Sequence, residues 1–386
     1  MTSEIKIVRK YFGPCLDYQS IEEPISDLYA LGVDIIKDAL TPALMPKNGR
    51  VEKYPFSVGF PLRSTFNAGT RDCSDEGSVV AINSAVPYLL FSACFAYSTR
   101  VDVSTALPLE ENGKIKVFNS KLELLGKVKD MPSHPADIFA MFEKVIEYPE
   151  YKTANLPFAL SLYEIAIRYV AMHEAMHIIL GHTGYLKQEL GLDEFLEFSA
   201  KREDKMDNSF FHCLEFLSDR NAVRGITSKM LGGDYISEAL RSLLDNTELP
   251  KNDYLLRCIV SALTLTFHLF PSRTDDLKEP LYSHPNPYLR MQWLAMEIGH
   301  EVGSQADFRN AVLMPVAHTG AAIYANFQTP GNWKYATEED VDPTDGRRPK
   351  FTDDSYTAIL ELAKKWGDKL WKAYSPLYHG DGSGRL

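Results

Sequence analysis

The sequence predicts an α+β fold, mostly helical with one small β-sheet, and three observations carry that expectation. Residues 158–180 are apolar around most of a helical circumference, which marks a helix buried inside the domain rather than one lying on its surface. Residues 77–84 (GSVVAINS) read as a short strand, followed directly by an apolar helix over 87–97. Residues 356–374 form an amphipathic helix whose Trp366 and Trp371 would tie it to the core. With 386 residues and 45% hydrophobic content, the chain can bury a substantial core.

The remaining elements follow in chain order. Before Gly77 a helix over 21–40 precedes loops marked by Pro42, Pro46, Pro55 and Pro61, so 1–76 is expected to be a layer packed on the core. Residues 99–157 have a mixed composition and read as an insertion, a folded or partly ordered cover near any site on the buried helix. Gly181 is a natural stop for that helix, and His182 follows it. Further helices are expected over 208–226, 254–270, 288–302 and 305–326, then a Pro-, Gly- and acid-rich loop over 328–354. The final HGDGSGRL is expected to be disordered. The division is thus 1–76, a central domain over 77–302, and a helical region over 303–386. No internal repeat and no Gly-rich phosphate loop is present.

The buried helix carries His173-Glu174-Ala175-Met176-His177. On a helix, histidines four residues apart point the same way about one turn apart, and Glu174 lies about 100° round the axis. Two neutral imidazoles suit Zn²⁺, and a carboxylate between them can take a proton from the water that attacks a peptide carbonyl. The alternative is a pair of hydrogen-bonded core histidines, but a buried helix has little reason to carry His, Glu and His together. A third ligand is needed. His182 is nearest, but its spacing does not match the metzincin pattern, and it reads as a helix-end residue or an outer partner. Glu215 and Asp219 share a helix face with Phe211, Ala222, Val223 and Ile226. Two carboxylates on an apolar face are costly unless a metal or hydrogen-bond donors compensate them. Glu215 is therefore the expected third ligand of a His₂Glu site, and Asp219 the group that orients the free N–H of a liganding histidine.

Composition excludes some classes. A formal charge of −11 with no basic cluster argues against a general nucleic-acid binder. Cys15, Cys73, Cys94, Cys213 and Cys258 are scattered, odd in number and without CxxC spacing, which suggests reduced thiols and a cytoplasmic location. The start MTSEIKIVRKYFG has no apolar signal core, so export is not expected. No membrane partner is expected either: Asn83 and Pro87 split the uncharged stretch 79–98, and Glu164 and Arg168 make the buried helix a poor span. Cys73, in the run Arg71-Asp72-Cys73-Ser74-Asp75, reads as a loop cysteine or as a thiolate that holds the metal latent.

The order HExxH, then ExxxDxxA (Glu215, Asp219, Ala222), then HPxxxxR (His284, Pro285, Arg290) resembles the gluzincin metallopeptidases that include HtpX and the CAAX prenyl endopeptidases. The resemblance implies a zincin-like core with a small sheet, and a zinc endopeptidase with His173, His177 and Glu215 as metal ligands and Glu174 as general base. It also implies Asp219 behind the ligands, with His284 and Arg290 beside the substrate carbonyl and the second-motif helix. Either would stabilise the oxyanion; Tyr282 or Tyr288 could substitute, and without the resemblance His284 reads as a turn residue before Pro285. A similar strand and helix precede the catalytic helix in that family, so 77–84 is either an edge strand that pairs with an extended peptide substrate or an ordinary strand. The chain departs from the family in its 99–157 insertion and in showing no transmembrane helix. The helix end HIILGH is also similar to that of the Lit-type phage-exclusion peptidases, which implies a regulated protease of an intracellular protein, with a protein activator bound by the non-motif portion. Two alternatives stand beside this reading: a zincin-fold binding or regulatory protein without catalytic activity, and a zinc hydrolase of a small amide or ester.

Overall fold

The computed structural model describes residues 3–21, 25–44, 56–63, 66–73, 76–111, 114–115, 154–191, 195–196, 208–269, 287–303 and 353–375, with isolated positions between 311 and 319. In chain order these form α1 (Ser3–Phe12), α2 (Ile25–Leu44), β1 (Phe56–Gly59), β2 (Ala68–Asp72), β3 (Ser78–Ile82) and α3 (Ala85–Ser98). Four two-residue strands follow: β4 (Val101–Asp102), β5 (Leu107–Pro108), β6 (Glu110–Glu111) and β7 (Lys114–Ile115). Then come α4 (Leu156–Ile179), α5 (His182–Leu190), β8 (Phe195–Leu196), α6 (Asn208–Leu231), α7 (Glu238–Asn246), α8 (Lys251–Leu269), α9 (Pro287–Val302) and α10 (Asp353–Tyr374). The described chain is thus mostly helical with a small sheet, an α+β architecture.

The main sheet has the order β1-β3-β2-β8. β3 runs parallel to β1, with Val58 opposite Val80, and antiparallel to β2, with Thr70 opposite the same Val80. β3 therefore lies inside the sheet with all five of its residues buried. This corrects the expectation that 77–84 could offer a free edge to a peptide, since both of its edges are already paired. The far edge of β2 carries β8 through Gly69↔Leu196 and Thr70↔Phe195. β1 and β2 precede Gly77, so the expected boundary at 76/77 runs through this sheet. α1 covers one face, where Val8, Phe12, Cys73, Val79 and Ala81 form a small apolar cluster, and α4 packs on β2 and β3.

α4 is the hub, packed by α2, α3, α6, α7, α8 and the sheet. Its start is set by Asn155, whose side chain accepts the Phe158 N–H at 2.9 Å, and by Pro157 in the first turn. From Ile165 to Ile179 every residue is buried, which explains why its sequence is apolar all round.

The end of α4 is a tight crossing. Gly181 takes φ +79°, and a Cβ there would lie 2.7 Å from the Leu370 carbonyl oxygen and the Ser375 nitrogen at the end of α10. Ser375 Oγ donates to the Ile179 carbonyl across the same contact. Gly181→Ala is expected to lower unfolding free energy by about 2 kcal/mol or more, read from urea denaturation, because it combines left-handed strain with a backbone clash. An unchanged midpoint would mean that α10 does not press on this turn.

The first part of the insertion is ordered as the β4–β5 and β6–β7 ladders. Tyr254 donates to the Val103 carbonyl at 2.7 Å and Arg257 to that of Thr105 at 2.9 Å, tying the β4–β5 ladder to α8. The expected cover over 116–153, the loop over 328–352 and the tail from 376 lie outside the described residues, as does nearly all of the helix expected over 305–326. Among the described residues no helix is long and apolar enough to cross a membrane.

Candidate metal centre

α4 and α6 cross so that the HExxH face meets the face carrying Glu215 and Asp219. Phe211, Ala222, Val223 and Ile226 are buried around that second face, as a core-facing helix requires. The Nε2 atoms of His173 and His177 lie 3.1 Å apart. Glu215 closes the triangle, with Oε2 3.5 Å from His173 Nε2 and Oε1 3.6 Å from His177 Nε2. Ligands of a tetrahedral metal bound at about 2.0–2.1 Å stand roughly 3.3 Å from one another, so the three side chains fit around one ion. They are the one group of this kind found among the described residues, and all three are buried.

Charge points the same way. Glu174, Glu215 and Asp219 are each 1% exposed or less, and the guanidinium of Arg290, equally buried, is the one fixed positive charge beside Glu215 and Asp219 among the described residues. Carboxyl groups buried this deeply are costly unless donors or a cation compensate them, and a divalent cation between Glu215 and the two histidines would do so. The group could therefore hold a metal ion.

Behind the ligands lies a second layer. Arg290 grips Asp219 with two donors, Nε to Oδ2 and Nη2 to Oδ1, both at 2.8 Å, while Nη2 stands 3.4 Å from Glu215 Oε2. The same guanidinium lies over the Phe267 ring of α8. Asp219 Oδ1 also accepts from Tyr169 at 2.5 Å and comes within 2.7 Å of His173 Nδ1, although not along the direction of a good ring N–H hydrogen bond. Before any cation binds, burial works against the charged form of His173, but Asp219 and Glu215 outweigh it and hold its pKa well above the ordinary value. Burial likewise opposes ionisation of Asp219, and Arg290 and His173 overcome it, keeping this carboxyl below its usual range.

Of the residues expected from sequence, His173, His177, Glu215, Asp219 and Arg290 come together where α4, α6 and α9 meet, and Glu174 is buried next to His173 in the chain. Arg290 is bonded to Asp219 and buried against Phe267, so it stands beside the helix that carries Glu215 and Asp219, as an anchor behind the cluster. His284 and Tyr282 lie outside the described residues, as does the Tyr288 side chain. Cys73 packs against α1 in the small apolar cluster beside β3, and burial pushes its thiol up to about 11, which favours a neutral cysteine there.

Sequence reasoning did not find Tyr169, one turn before His173 on the same face of α4, where its spacing was the available signal. His182, which the sequence left as a helix-end residue or an outer partner, contacts His177, Nδ1 to Nδ1 at 3.0 Å. Burial pushes the pKa of His182 down to about 3, so that ring is neutral. Among known proteins, no family model, curated sequence or solved structure matches this chain.

Proposed function

We propose that this chain is a zinc-dependent endopeptidase with a zincin-like core, in which His173, His177 and Glu215 hold the metal and Glu174 is the general base. The observation that carries the reading is the triangle of ligand atoms, 3.1, 3.5 and 3.6 Å on its sides, with a buried carboxylate next to one of its histidines in the chain. Nitrogen and carboxylate donors in a set of three suit zinc, which when bound supplies Lewis acidity toward a carbonyl and toward water. Glu174 then takes the proton of the attacking water and returns it to the leaving amine. Asp219, clamped by Arg290 and Tyr169, fixes the His173 ring. The substrate is an intracellular protein or peptide, and the resemblance to phage-exclusion peptidases adds that a protein activator governs its access.

Zinc content and cleavage together test this. The wild type and Glu174→Gln are both expected to hold about one zinc per chain, because Glu174 is not a ligand. Cleavage of a proteome-derived peptide mixture, read as new N-termini, is expected to fall about 10²–10⁴-fold in Glu174→Gln. Zinc in both proteins with no cleavage difference would turn the reading to a binding protein that keeps the metal without the reaction. Cleavage confined to small amides or esters would favour the small-substrate hydrolase.

A further inference from the structure

His177 has an outer partner of a different kind from that of His173, and the inference drawn from it rests on the proposed metal site. Gly181, in its left-handed conformation, turns the chain so that His182, the first residue of α5, returns beside His177. The contact is made by His177 Nδ1, whereas Nε2 of the same ring faces His173 and Glu215. A cation on Nε2 leaves the proton of His177 on Nδ1, since an imidazole bound through one nitrogen keeps its hydrogen on the other. That N–H needs an acceptor, and His182 Nδ1 at 3.0 Å is placed to be it. We propose that His182 is a positioning residue that accepts the Nδ1–H of His177 as a neutral imidazole, the counterpart of Asp219 behind His173.

The tautomer follows: His182 carries its own proton on Nε2. That nitrogen is buried without a hydrogen-bond partner among the described residues, and the whole residue is 0% exposed. Leaving such a group unpaired costs about 1–3 kcal/mol, which a leucine or phenylalanine in the same space would avoid. The contact made by the other nitrogen accounts for a histidine at this place. Ser218 Oγ lies 3.4 Å from the same Nδ1 on the α6 side, farther than His177 Nδ1 at 3.0 Å. Neutrality also matters, because a carboxylate at this position would add one more negative charge to a buried group already rich in them and would make a bound cation less electrophilic. The two liganding histidines would thus be oriented by one anionic and one neutral acceptor.

Zinc affinity of the full chain, measured by competition with a chromogenic chelator, tests the proposal in wild type, His182→Leu, His182→Gln and Glu215→Ala. His182→Leu fills the space without an acceptor and is expected to weaken zinc binding about 10–100-fold. His182→Gln, whose amide oxygen accepts, is expected to recover most of that loss. Unfolding midpoints in EDTA identify the folded variants; a purely structural role would shift those midpoints and leave chelator competition unchanged. Imidazole ¹⁵N shifts of the zinc-loaded wild type need no variant, and should show a protonated Nδ1 on His177 and an unprotonated Nδ1 on His182. Equal affinity in folded His182→Leu and wild type, or a protonated His182 Nδ1, overturns the role. A wild type that takes up no zinc, or zinc binding indifferent to Glu215→Ala, overturns the metal site itself, whatever the His182 variants do.

Discussion

Replacing Arg290 by leucine is expected to destabilise the protein by about 3–5 kcal/mol, a large part of the stability of an ordinary domain. The cause is the carboxylate left behind. Asp219 is 1% exposed, and its two charge-assisted bonds to Arg290 are what make an ionised group tolerable there. Denaturant unfolding in EDTA reads the effect free of metal. The double variant Asp219→Asn with Arg290→Met removes both charges and should recover most of the stability, while zinc affinity stays about 10–100-fold low because His173 has lost the carboxylate 2.7 Å from its Nδ1. A single variant as stable as wild type would mean that Asp219 is protonated in the fold. The pH dependence has a definite sign. Asp219 has a depressed pKa in the folded protein, so its contribution is present above the ordinary carboxylate range and is lost as pH falls through the depressed value.

The second large effect is on metal. Glu215→Gln is expected to lose on the order of a third of a zinc-binding free energy of roughly 10–16 kcal/mol, a weakening on the order of 10³-fold. The metal-free protein should also lose stability, but by less than the zinc-bound form, because Glu215 Oε2 lies 3.4 Å from Arg290 Nη2 and helps hold His173 charged. Thermal unfolding with zinc and with EDTA separates the two effects. Wild type should gain stability from zinc through linkage, and Glu215→Gln should gain far less at the same concentration. Equal zinc-induced shifts in both proteins would exclude Glu215 as a ligand.

Much of this centre was legible because helical spacing is short-range. His173 with His177, and Glu215 with Asp219, each lie four apart, so a shared face follows once the segment is helical. Which faces meet is set by packing, and there the apolar neighbours Phe211, Ala222, Val223 and Ile226 served as a guide. β2 was not legible, since AGTRD begins with two poor strand formers and becomes a strand through its pairing with β3. α7 could have been found, for Ser237 caps it by accepting from the Leu240 N–H and Leu240 and Leu244 are its buried stripe. The outer-partner place of His182 was legible only as one of two readings, because a glycine after a helix reads as an ending, and here a new helix begins at the next residue.

The crossing of α10 over Gly181 bears on how far the site can be treated as a module. A fragment spanning 154–231 would contain the three proposed ligands, the proposed general base and His182, yet it would lack Arg290 to neutralise Asp219 and Leu370 and Ser375 to press on the turn after His177. The three residues of the cluster lie within one stretch of sequence, whereas Arg290 comes from 71 residues beyond Asp219 and Leu370 and Ser375 from farther still. Transplanting the ligand-bearing helices into another scaffold would therefore carry over the chemistry without the geometry, and the orientation of each ring would have to be rebuilt from the new surroundings.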